Sequence, residues 1–132
     1  MWIGTDRFLG EASSGHAIVV DAGREKSASS PVELVLIALC GCTASDVVSI
    51  LRKKREPFTR LEVSATGERA TTYPQVFTSI RIKYKIWGKV APHAIEHAVK
   101  LSEEKYCSVS AMLAKSAKIE FVIEQAEDEP VT

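Results

Sequence analysis

Three cysteines hold the strongest claim to chemistry in this 132-residue chain. Cys42 lies in Ala38-Leu39-Cys40-Gly41-Cys42-Thr43-Ala44-Ser45-Asp46, inside a long apolar run. Cys107 lies in Lys105-Tyr106-Cys107-Ser108-Val109-Ser110, at the junction of two helical patterns. A thiol at a helix N-terminus has its thiolate favoured by the helix dipole and by free backbone N–H groups, and Lys105 adds a cation close to Cys107. Such thiols suit redox chemistry, nucleophilic attack or metal binding. Against that stands the common use of free cysteine as a small buried hydrophobe, and composition alone does not separate the two. Cys40 and Cys42 are two positions apart, about 200° of helical rotation, so their sulfurs point to opposite sides and cannot chelate one ion without breaking the helix. Cys40 reads as core filler.

The other polar groups carry weaker signals. His93-Ala94-Ile95-Glu96-His97 matches H-x-x-E-H, in which imidazoles one turn apart can share a metal. Here both histidines align with Lys100 and Glu104 opposite the apolar Ala94, Ala98 and Leu101, and no third ligand is evident. A solvated helix face is the better reading, and no metal site is expected. Glu33 could partner a catalytic charge, but it is also the third residue of a Ser30-Pro31-Val32-Glu33 capping box. Nine positions separate it from Cys42, about 900° of turn, which points the two to opposite faces. Asp46, one turn after Cys42, would oppose thiolate formation if it shared the pocket; a cap or a contact across a dimer is an equal alternative. No phosphate-binding glycine loop or Ser/His/Asp arrangement is evident.

The elements that must position these groups follow from periodicity and punctuation. Apolar groups at 2–3 and 17–20, separated by turn residues, predict a β-hairpin, and the polar stretch 21–30 predicts a loop. The run from Val32 to Leu51, opened by proline at the first helical position and closed by Arg52-Lys53-Lys54-Arg55, predicts a long helix whose basic end suits the macrodipole. Its apolar residues go nearly all the way round, so it should be buried on most sides, which a small domain achieves most simply with a second copy. Pro57 is expected to stop it. Leu61, Val63 and Ala65 alternate, as do Ile80, Ile82, Tyr84 and Ile86, joined by a hairpin connection over 67–75. An amphipathic helix follows Pro92, with Ala94, Ile95, Ala98 and Leu101 inward, reaching about Lys105. A shorter one follows Cys107, with the apolar Val109, Met112 and Leu113 at i, i+3 and i+4. A last strand covers 119–123, and 124–132 reads as a frayed acidic tail. The order ββ-α-ββ-α-α-β, without internal repeat or domain boundary, gives an α+β class in one domain, 1–132.

Composition bounds the function. Seventeen basic and seventeen acidic residues cancel, and 45% hydrophobic with 26% charged residues is the balance of a globular protein. Zero net charge argues against a general nucleic-acid or membrane binder. The N-terminal residues show no signal-peptide pattern and no stretch is uninterruptedly apolar for about 18 residues, so the cytoplasm is the expected compartment. In a reducing compartment the cysteines are not a disulfide framework.

Two segments together resemble a known family. Residues 30–51, Ser-Pro-Val-Glu-Leu-Val-Leu-Ile-Ala-Leu-Cys-Gly-Cys-Thr-Ala-Ser-Asp-Val-Val-Ser-Ile-Leu, are similar to the central helix of the OsmC/Ohr family, thiol-dependent peroxidases active on organic hydroperoxides. Residues 104–110, Glu-Lys-Tyr-Cys-Ser-Val-Ser, are similar to its second-cysteine segment. Trp2, Phe8-Leu9-Gly10, Gly15-His16 and the element order agree, and the chain looks closest to the short YhfA-like branch. The resemblance implies antiparallel sheets around a long buried central helix and an intertwined homodimer. It also implies a peroxidatic Cys42, a resolving Cys107, a small organic hydroperoxide as substrate, a dithiol as reductant, and no cofactor. One departure stands out. The well-studied peroxidases place a glutamate directly after the helix-opening proline, holding an arginine over the reactive thiol. Here that position is Val32, and the acid is Glu33, turned by about 100°. Arg24, and after it Arg7, are the candidates for the arginine. The alternative on the same fold is a non-enzymatic dimer that binds a small apolar or thiol-reactive ligand; a scaffold with inert buried cysteines is a third reading.

Overall fold

A computed structural model describes residues 1–127, and its contacts divide the chain into two compact units, Met1–Leu36 and the remainder from Ile37. In the first, β1 (Trp2–Gly4), β2 (Arg7–Glu11) and β3 (Ala17–Asp21) form an antiparallel meander, so the expected hairpin gains a third strand. The polar loop after β3 is wound around one carboxylate. Asp21 accepts hydrogen bonds from Gly23 N (2.8 Å), Ser27 N (3.0 Å) and Ser27 Oγ (2.6 Å), which hold it below the usual carboxylate range. The buried apolar side chains of the described residues all come from the second unit.

Helix α1 (Pro31–Lys53) begins with the expected capping box: Glu33 N donates to Ser30 Oγ at 3.1 Å, and Ser30 N donates to Glu33 Oε1 at 3.0 Å. Its end corrects the sequence expectation. Arg55 has φ 56°, Arg55 N donates to Arg52 O, and Glu56 N donates to Leu51 O, both at 3.0 Å. These are the paired bonds of a Schellman motif, so a left-handed residue, not Pro57, stops the helix. Glycine fits that position better than arginine. Arg55→Gly is therefore expected to stabilise the fold by about 1 kcal/mol in chemical denaturation. A lowered denaturation midpoint would contradict this account of the helix end.

Within one chain the helix buries a single face. Leu39, Thr43, Val47 and Leu51 form one inaccessible stripe, whereas Ile37 is 56% exposed, because one chain supplies cover for one face only. By length and composition α1 could cross a membrane, with a mean hydropathy of 2.2. Asp46 stands in its second half, however, and the buried stripe belongs to the core of the second unit, which is the arrangement of a core helix.

In the second unit β4 (Phe58–Arg69), β5 (Phe77–Gly88) and β6 (Lys118–Ala126) form a sheet of that order. β4 and β5 are antiparallel, but β6 runs parallel to β5, correcting the expectation of wholly antiparallel sheets. The helical crossover between β5 and β6 carries the chain back to the starting end, which dictates the parallel sense. Ile80, Ile82, Tyr84 and Ile86 share the buried face as their alternation predicts. Gly88 ends β5 at φ 109°, where a Cβ would lie 2.5 Å from Pro57 O. The crossover consists of α2 (Pro92–Leu101), a π-helical turn (Ser102–Tyr106) and α3 (Ser108–Leu113). Val99 is buried beside the expected Ala94, Ile95 and Ala98, and Leu101 is half-buried. In α3, Ser110 is buried and Met112 is 61% exposed. Of the expected tail, 124–126 belong to β6, and 128–132 lie outside the described residues.

Candidate active site

The second unit brings the two cysteine segments together. Cys42 and Asp46 lie one turn apart on α1, hence on one face. The π turn sets the position of Cys107: Cys107 N donates to Ser102 O at 2.9 Å, the i to i−5 bond that lets the chain bulge, and the backbone then extends at Cys107 before α3. Cys107 caps α3, its sulfur accepting from Ser110 N at 3.3 Å. The Sγ atoms of Cys42 and Cys107 and a carboxylate oxygen of Asp46 all lie within 4.8 Å of one another. Two thiols far apart in sequence thus meet beside a carboxylate.

The two sulfurs are not equivalent. Cys107 is buried, and Cys42 is half-buried. Burial, hydrogen bonding to Cys42 and the charges of Cys42 and Glu103 push the Cys107 thiol up to about 12, against which the Ser110 N–H contact works in vain. That corrects the expectation that a helix N-terminus and Lys105 favour the Cys107 thiolate. The cap contact exists, but desolvation outweighs it, and the Lys105 ammonium lies over the Tyr106 ring, 5.2 Å from its centroid.

Four polar residues that sequence reasoning did not single out as site groups frame the sulfurs. Ser102 Oγ donates to Asp46 Oδ2 at 2.9 Å. Glu103 accepts from Tyr84 OH at 2.7 Å and from Ser110 Oγ at 2.8 Å, tying β5, the π turn and α3 to one carboxylate. Tyr84, fully buried, also contacts the Thr43 hydroxyl, and its own ionisation is strongly suppressed by burial and by Glu103. The spacing of Cys107 and Ser110, a residue and the third after it, is a capping pattern that could have flagged Ser110. Nothing local distinguishes Glu103 from Glu104.

The remaining candidates behave differently. Cys40 is half-buried and outside the cluster, its thiol pushed up by burial. Glu33 is engaged in the capping box, which holds its carboxyl below the usual range. Arg24 is exposed on the loop before α1, and Arg7 lies across the β2–β3 ladder from Asp21; both belong to the first unit. His93 and His97 are exposed, as expected of a solvated face. Leu39 and Val47, the apolar residues flanking Cys42 on α1, are inaccessible. A cavity of about 370 Å³ opens beside Asp46, walled by Ile50, Leu101 and Tyr106 and rimmed by Lys53, Lys54 and His97; neither Cys42 nor Cys107 lines it.

Comparison with known proteins agrees with this architecture. Residues 23–122 match the model of the OsmC-like protein family. Protein YhfA of Escherichia coli strain K12 is 44% identical over 119 residues, covering 89% of each chain. A crystal structure of a protein from Aquifex aeolicus VF5 superposes with a TM-score of 0.88 at 35% identity, covering 98% of this chain and 94% of that one. An organic hydroperoxide resistance protein from Elizabethkingia anophelis shares the fold, with a TM-score of 0.65 at 12% identity over 96% and 99% of the two chains. With its family model matched over most of its length and its two cysteines converging as described, the chain belongs to the OsmC-like protein family.

Proposed function

We propose that this chain is a thiol-dependent peroxidase that reduces small organic hydroperoxides in the cytoplasm, working as a homodimer. The observation that carries this reading is the approach of the Cys42 and Cys107 sulfurs to within 4.8 Å while both are free thiols. The more accessible Cys42 attacks the O–O bond as its thiolate, becoming a sulfenic acid and releasing the alcohol after protonation of the alkoxide. Cys107 then displaces water from the sulfenic sulfur to form a disulfide, which an external dithiol reduces to regenerate both thiols. The order suits the electrostatics. Oxidation of Cys42 to the neutral sulfenic acid removes the Cys42 charge that opposes ionisation of Cys107. The apolar wall of Ile50, Leu101 and Tyr106 offers a place for the organic group. Thiol titration before and after one equivalent of an organic hydroperoxide tests this: two thiols disappear without denaturant and Cys40 remains. Loss of none defeats the reading.

The engagement of Glu33 by its own capping box favours a second reading, a non-enzymatic dimer that binds a thiol-reactive or apolar ligand. Saturable binding without thiol loss would select it.

The dimer rests on uncovered apolar surface. Ile37, Gly41, Ala44 and Val48 recur on one side of α1 at spacings of four, three and four, the pattern of a helix–helix seam. They are exposed or half-buried, and Trp2, Ile3, Phe8 and Ile18 are exposed on the first unit. In the dimer, an arginine of the partner subunit is a candidate to complete the Cys42 site. Ile37→Glu is expected to shift the sedimenting species from dimer to monomer. A wild-type protein that is monomeric at micromolar concentration would remove this part of the proposal.

A further inference from the structure

We propose that the reduced protein binds one thiophilic divalent cation, zinc(II) or cadmium(II), through Cys42 Sγ, Cys107 Sγ and an oxygen of Asp46. Among the described residues these three form the group of candidate ligands close enough to share an ion, with all donor atoms within 4.8 Å. A tetrahedral zinc site with bonds of about 2.3 Å to sulfur and 2.0–2.2 Å to oxygen sets its donors roughly 3.5–3.8 Å apart. The existing cluster therefore needs a contraction of at most about 1 Å, a shift of the size side-chain rotation supplies. Two sulfurs and one carboxylate select a soft or borderline cation over magnesium or calcium. The outer shell is in place as well. Ser102 Oγ holds Asp46 Oδ2 at 2.9 Å, and Ser110 N donates to the Cys107 sulfur at 3.3 Å, orienting the ligands and favouring their anionic forms. Of the three ligands Asp46 lines a cavity open to solvent, so the cluster is approached from that side, and three protein donors leave the fourth tetrahedral position to water. Bound in this way, the cation occupies both sulfurs and shields them from electrophiles.

The inference does not depend on peroxidase activity, because it requires only the reduced thiols and is read without peroxide. Fully reduced protein is titrated with zinc against a chromophoric chelator, and cobalt(II) replaces zinc to report sulfur-to-metal charge transfer. One equivalent is expected to bind. Cys42→Ser and Cys107→Ser each lose the charge-transfer intensity of one thiolate and weaken binding by more than about 100-fold, and Ser102→Ala weakens it roughly 10–100-fold. Cys40→Ser and the double variant His93→Ala/His97→Ala bind as the wild type does. Should a cysteine variant fail to fold, protection of Cys42 in the wild type from iodoacetamide by zinc, located by peptide mapping, replaces it. No binding by wild type with three free thiols, absence of that protection, or binding that survives in folded Cys42→Ser or falls in His93→Ala/His97→Ala overturns the site.

Discussion

Cys42→Ser is expected to reduce hydroperoxide turnover to background while leaving the fold intact, because serine keeps the size of the side chain and removes the thiolate proposed to attack the peroxide. The companion variant behaves differently. Cys107→Ser should consume one equivalent of peroxide per chain and then stop, with Cys42 trapped as a sulfenic acid that a dimedone-type reagent labels. The two variants together separate attack from resolution. They also test the assignment of roles, which rests on access: Cys42 is half-buried, while Cys107 is buried with its ionisation strongly opposed. If the roles were exchanged, Cys42→Ser would give the single turnover and Cys107→Ser none. If the cysteines were inert, neither variant would change peroxide consumption, and the fold alone would remain of the family resemblance. Cys40→Ser is the internal control, since Cys40 lies outside the cluster.

What the sequence makes legible divides by range. Local and periodic features are read correctly: the capping box at Ser30 and Glu33, the inward set Ile80, Ile82, Tyr84 and Ile86, and the helix that opens at Pro92. These depend on residues a few positions apart. The failures depend on neighbours elsewhere in the chain. The parallel pairing of β6 is dictated by the route of the crossover, which no alternation pattern encodes. For α1, an all-round apolar helix says how much surface needs cover, without saying which molecule provides it, and one chain covers a single face. The site shows the same division. Both cysteines stood out through type and context, and their family resemblance paired them. Glu103, which joins three elements, is adjacent to the exposed Glu104 and differs from it only in direction. That direction is set by the π turn, a single-residue excess in a helix that periodicity predicts to continue to about Lys105.

Glu103 consequently carries the largest expected effect on stability. Its two oxygens accept from Tyr84 OH and Ser110 Oγ, and both donor residues are buried. Glu103→Ala removes the acceptor from two hydroxyls that water cannot readily reach. At about 1–3 kcal/mol for each unsatisfied buried group, the loss is about 2–6 kcal/mol, a substantial share of the stability of a small domain. The Thr43 contact to Tyr84 favours the lower part of that range. Glu103→Gln keeps one acceptor and nearly the same shape, so it should lose about half as much. The chemistry discriminates this positioning role from general weakening. Glu103 holds the segment that carries Cys107, while Cys42 stands on α1. In folded Glu103→Gln, rapid-mixing measurements should therefore show first-equivalent peroxide consumption near the wild-type rate, with disulfide formation altered. Equal slowing of both steps would mean that Glu103 supports the whole unit and has no special hold on the resolving thiol.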